Sequence, residues 1–86
     1  MYAVYIIYSE KIDKYYIGFT SNVEDRLSKH NRNHRGFTSI GIPWKLVYLE
    51  QFENKAQAMS REKYLKSWKD RKLIIELIRN GSVHPG

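Results

Sequence analysis

The sequence predicts an α/β domain of the α+β type: a three-stranded antiparallel sheet flanked by about three helices, in the order ββαβαα. Three observations predict it. Two short stretches near the start, Tyr2 to Tyr8 and Tyr15 to Phe19, are crowded with tyrosine, valine and isoleucine and are separated only by a polar break, the pattern of a hairpin. A third stretch of the same kind, Trp44 to Phe52, follows a long polar segment. Between and after the strands, capping residues precede apolar positions at helical spacing. Strands with helices laid on them make a layered domain.

The elements follow in order. Ser9-Glu10-Lys11-Ile12-Asp13-Lys14 is the hairpin break. Gly18 is disfavoured inside the second strand, so it marks a bulge or a close approach. Ser21 and Glu24 fit a capping box, with Ser21 as N-cap. The helix they open runs to His30 or Asn31, with Val23 and Leu27 inward. Asn31 to Pro43 is polar, basic and glycine-containing, and reads as a long loop of the kind that carries function. Asn54 with Gln57 caps a helix from Lys55 to about Trp68, and Asp70 caps a last helix with the stripe Leu73, Ile74, Leu77 and Ile78. Asn80-Gly81 ends it. Residues 1–81 form one domain, and 82–86 are expected to be a flexible tail.

At 86 residues the chain carries one small core. It has no cysteine, which excludes disulfides and a cysteine-ligated zinc site. No apolar run reaches the roughly 20 residues of a membrane helix. The start lacks the basic residues of a signal peptide and reads as strand, so the chain is expected in the cytoplasm. Fifteen basic residues against nine acidic ones leave a net charge of +6, which favours nucleic acid as partner and, second, an anionic membrane. Many small proteins are basic without purpose, so charge alone decides little.

A few residue types stand where chemistry is possible. Strand alternation puts Tyr5 with Ala3 and Ile7, and Tyr16 with Gly18. In the right register two phenols would sit side by side next to a glycine, although each tyrosine alone reads as packing. Arg26 and His30 lie one helical turn apart, a phosphate-holding guanidinium beside a group that moves protons near neutral pH, or a merely solvated face. His30 and His34 do not make a zinc site, because the helix ends between them and no third ligand is evident. Glu62 falls between Met59 and Leu65, near Ala58, on the side expected to face the sheet. A carboxylate there is costly unless paired with Arg26, Arg61 or Lys66, or bound to a hard ion such as Mg²⁺.

Ala3-Val4-Tyr5, Tyr16-Ile17-Gly18 and Ser21-Asn22-Val23-Glu24-Asp25-Arg26-Leu27 with His30-Asn31, in that order and spacing, resemble the GIY-YIG nuclease superfamily. Trp44-Lys45-Leu46-Val47-Tyr48 and Ala58 to Lys66 resemble its small stand-alone bacterial branch. The resemblance spans about Tyr2 to Trp68. It implies an active site of Tyr5, Tyr16, Arg26 and Glu62, with His30 one turn after the arginine. Ala3 stands where the name-giving glycine would be, and Phe19 where some members carry a lysine.

What the resemblance implies is a metal-dependent endonuclease with DNA ahead of RNA as substrate, and one Mg²⁺ or Mn²⁺ on Glu62. Products would end in 5′-phosphate and 3′-hydroxyl. Tyr5, Tyr16 and His30 share the roles of base and proton relay, in an order the sequence leaves open. Gly18, Lys29, Arg32, His34, Arg35 and Thr38 are expected to contact nucleic acid. With about six phosphates held, log affinity would fall with log salt at a slope of about −5. A structured, single-stranded or damaged substrate is expected rather than a specific sequence. The chain is expected to be a monomer or weak dimer without membrane contact, and a partner protein is left open. The competing expectation is a non-catalytic nucleic-acid-binding module with the same fold and basic surface.

Overall fold

β1, Tyr2–Ser9, has apolar residues on both faces, and that places it at the centre of the sheet. A computed structural model describes residues 1–32 and 35–81. In it β2, Lys14–Thr20, and β3, Trp44–Phe52, flank β1, both antiparallel, in the order β2-β1-β3. Three helices follow the predicted order: α1, Val23–Asn31; α2, Lys55–Ser67; and α3, Arg71–Asn80. The loop between α1 and β3 is not structureless, since a 3₁₀ helix occupies Phe37–Gly41. The expected tail, residues 82–86, lies outside the described residues.

The two faces of β1 build two layers of core. Tyr5 and Ile7 pack with Trp44, Val23 and Leu27 under α1. Val4 and Ile6 point the other way, onto Ala58 and Leu65 of α2 and Ile74 of α3. Leu65 is 1% exposed. Leu65→Ala is therefore expected to cost about 2–5 kcal/mol, the usual range for emptying such a site. A urea titration would show it as a lower midpoint with an unchanged slope.

Several local expectations shift by a residue or a face. The N-cap of α1 is Asn22, whose side chain accepts the Asp25 N–H at 3.0 Å, rather than Ser21. The cause is Thr20, whose hydroxyl accepts the Asn22 N–H at 3.1 Å and turns the chain one residue later. Asn54 and Asp70 cap α2 and α3 as read from the sequence. Met59 and Leu73 are 46% and 43% exposed, although both were expected inward. Each sits about 100° round the helix from a buried neighbour, Ala58 or Ile74, and the small sheet covers only a narrow stripe of each helix. No bulge occurs at Gly18, where the β1–β2 register runs unbroken. The irregularity lies instead between Ile6 and Ile7 against β3.

Candidate active site

The hairpin register decides where the tyrosines go. Tyr5 pairs directly with Gly18, and Tyr16 pairs with Ile7 two residues along, so both phenols project from the same face. Their ring centroids are 6.5 Å apart. Gly18 is the close approach its position in the strand foreshadowed. A Cβ there would stand 2.5 Å from the Tyr5 hydroxyl oxygen, so only glycine leaves room for the ring to lie across β2.

α1 brings His30 behind these phenols. The Tyr5 hydroxyl is 2.9 Å from His30 Nε2, and His30 Nδ1 is 2.9 Å from the Thr38 hydroxyl, all three side chains being buried. The Thr38 carbonyl in turn accepts the Trp44 indole N–H at 2.7 Å. Asn31, the next residue along, pins the end of α1 to β3 by exchanging side-chain hydrogen bonds with both backbone groups of Trp44. The chain from phenol to imidazole to hydroxyl is thus anchored at its far end by the sheet itself.

Burial pushes the Tyr5 phenol well above its ordinary range, and Tyr16 adds to the effect. Arg26 opposes it, and Glu62 reinforces it. Desolvation outweighs the guanidinium, so the phenol is held protonated rather than drawn toward phenolate. The folded state holds the phenol proton more tightly than the unfolded chain does. This contribution to stability is therefore intact below about pH 10 and lost as pH rises toward the folded-state pKa. Tyr5→Phe is expected to flatten the alkaline decline in stability, which pH-dependent urea unfolding measures.

Arg26 and Glu62 complete a hollow of about 540 Å³, lined also by Tyr5, Tyr16, Gly18 and Lys55. Tyr2 and Phe19, from the opposite face, line it as well, so the hollow lies across the sheet edge at β2. Glu62 reaches it because it stands on the line from Ala58 to Leu65, the stripe α2 turns to the sheet. Its side chain is 19% exposed and pairs through Oε2 with Lys66 at 3.3 Å. Lys66 Nζ also lies 5.8 Å from the Tyr16 ring centroid. Arg26 makes no ion pair among the described residues, and neither does Lys55. Lys55 was missed by sequence reasoning. Its signal was the seven-residue spacing to Glu62, which puts both on one helix face two turns apart.

The expected nucleic-acid contacts divide. Gly18 lines the hollow. Lys29, Arg32 and Arg35 are exposed and outside its lining, and Lys29 is paired with Asp25 at 3.3 Å. Thr38 faces inward, 4% exposed, holding His30 rather than presenting itself at the surface. His34 lies outside the described residues.

Divalent-metal fit can be judged from the donors alone. Among the described residues no group of three or more histidines and carboxylates gathers. Glu62 is a single hard oxygen donor in a hollow rich in hydroxyls. That suits Mg²⁺ or Mn²⁺, which accept one carboxylate and complete their shell with water and phosphate oxygens.

The GIY-YIG catalytic domain family matches residues 1–74. The chain belongs to the GIY-YIG family. A UPF0213 protein of Clostridium perfringens is 40% identical over 74 residues, covering 85% of this chain and 78% of that one. A UPF0213 protein of Staphylococcus saprophyticus is 36% identical over 67 residues, covering 77% and 80%. The solution NMR structure of a UPF0213 protein from Bacillus halodurans is similar with a TM-score of 0.58 and 28% identity, covering 92% of this chain and 84% of that one. This is therefore a small GIY-YIG domain, nuclease-type in family. None of its described helices is long and apolar enough to cross a membrane. In this GIY-YIG chain the two hairpin tyrosines, Arg26 and Glu62 ring one hollow.

Proposed function

We propose that this chain is a metal-dependent endonuclease that hydrolyses nucleic-acid phosphodiesters, DNA ahead of RNA. The observation that carries the reading is the hollow at β2, where two phenols, a guanidinium and one carboxylate converge from four separate elements. Arg26 holds a non-bridging phosphate oxygen, for which its planar fork is suited. The Tyr16 hydroxyl, which makes no hydrogen bond among the described residues, donates to the same phosphate. Tyr5 takes a proton from the attacking water as it passes its own to His30 Nε2. A raised phenol pKa makes this relay necessary, because Tyr5 does not reach phenolate unaided near neutral pH. Thr38 accepts the Nδ1–H of His30 and so leaves Nε2 as the acceptor. Glu62 would hold a Mg²⁺ or Mn²⁺ ion, which supplies Lewis-acid stabilisation of the charge on the leaving 3′ oxygen. The water oxygen bonds to phosphorus as the P–O3′ bond breaks, and the leaving oxygen takes up a proton from solvent, giving 5′-phosphate and 3′-hydroxyl ends.

The test is cleavage of a panel of single-stranded, duplex, branched and nicked DNA and RNA by purified protein, with Mg²⁺, Mn²⁺ or EDTA. Metal-dependent cutting is expected on at least one substrate. Binding without cutting anywhere would point to a non-catalytic module. Thr38→Val is expected to lower kcat about tenfold with KM unchanged, the size of effect typical of an orienting partner. Thr38→Ser should restore it, which a packing defect would not allow.

A further inference from the structure

A second hollow, of about 530 Å³, lies beside the first and shares Tyr16 with it. It is lined by Lys14 at the start of β2, Lys66 in the last turn of α2, Lys69 just beyond that helix, Arg71 at the start of α3, and by Tyr15. Its one carboxylate, Asp70, accepts the Lys72 N–H and caps α3. Arg71 is held by Asp13 of the hairpin turn and lies 5.3 Å from the Tyr15 ring centroid. Lys14 and Lys69 make no ion pair among the described residues, and both are exposed. Lys66, paired with Glu62, stands between the two hollows. A line of positive charge therefore runs along β2 and ends at the groups assigned to cleavage.

Lys69 adds an independent observation. Its φ is 52°, in the left-handed region just past the last turn of α2. Glycine is the usual residue there, because a side chain at this φ is strained. A lysine in that position has its charge presented at a backbone cost.

We propose that this second hollow is a binding track for the sugar-phosphate backbone of the substrate strand next to the cleaved bond, with Lys14 and Lys69 as its phosphate-binding residues. The proposal rests on the nuclease reading above. Charge complementarity and continuity with the first hollow select a phosphodiester backbone over an acidic protein surface, which would have no reason to end at Tyr16 and Glu62.

The experiment is fluorescence anisotropy with a short labelled single-stranded DNA, in EDTA to prevent cleavage, over a range of salt. Lys14→Ala/Lys69→Ala is expected to reduce the log–log salt slope by about 1.4, or about 0.7 for each phosphate no longer neutralised. That corresponds to roughly 25-fold weaker binding at about 0.1 M salt. Lys63→Ala/Lys72→Ala, which removes two exposed lysines outside both hollows, should change far less. Lys69→Gly should bind more weakly and yet melt at a higher temperature, because it loses the charge and relieves the backbone together. An equal loss in the control pair, or wild-type affinity and slope in the Lys14/Lys69 variant, overturns the track and leaves the nuclease reading standing. A wild-type protein that neither binds nor cuts any nucleic acid overturns both.

Discussion

Glu62→Ala is expected to lower single-turnover cleavage by about 10³-fold or more and to remove its response to Mg²⁺, while binding in EDTA stays intact. The carboxylate is the only acidic side chain among the described residues lining the hollow at β2, so its loss leaves the ion no carboxylate ligand there. A factor of 10³ corresponds to about 4 kcal/mol of transition-state stabilisation, within what a metal at a leaving oxygen supplies. Stability should change little, since the partly exposed pair with Lys66 is of the kind that contributes at most about 1 kcal/mol. Affinity in EDTA should rise slightly, because the substitution removes a negative charge from a basic surface. Comparison of Glu62→Ala with Glu62→Gln separates charge from size. Mg²⁺-dependent cutting that persists in both would remove Glu62 from the mechanism.

Gly18→Ala is the second substitution with a large expected effect, and it acts through another residue. One methyl group would meet the Tyr5 hydroxyl at 2.5 Å and its ring carbon Cζ at 2.7 Å. Backbone and ring cannot both stay. Tyr5 is buried under α1 and bonded to His30, so the ring must tilt and give up that 2.9 Å hydrogen bond. Overpacking of this kind costs about 1–3 kcal/mol, seen as a lower melting temperature. Cleavage should fall about as far as in Tyr5→Phe, on the order of 10²–10³-fold, the share typical of a missing proton-transfer group. The two changes should not add. In a Tyr5→Phe background the alanine should have little further effect on cleavage, because both act on the same proton path. Full additivity in that double-mutant cycle would show that Gly18 serves some purpose other than making room for the phenol.

The strands, the caps at Asn54 and Asp70 and the end of α3 at Gly81 could be read directly from the chain. These are local matters, set by alternation, by helical spacing and by which side chain can accept a backbone N–H. Composition also set the positive charge and the absence of disulfides. The family resemblance carried by the motifs named Tyr5, Tyr16, Arg26, His30 and Glu62 as a group, without saying how they meet. Their meeting was decided by the tertiary structure. Whether Tyr5 lies over Gly18 depends on hairpin register, and a slip of one residue would have sent every side chain of β2 to the other face. His30 reaches Tyr5 across 25 residues, and Thr38 turns inward because the 3₁₀ helix carries it under Trp44. Burial, which raises the Tyr5 pKa against the pull of Arg26, is a property of the assembled layers and of no segment alone. Lys55 and Lys69 looked like ordinary surface lysines, since only the packing of α2 along β2 puts one in each hollow. Local sequence thus determined the elements and their chemistry, whereas long-range pairing and desolvation decided which groups face one another and in what protonation state.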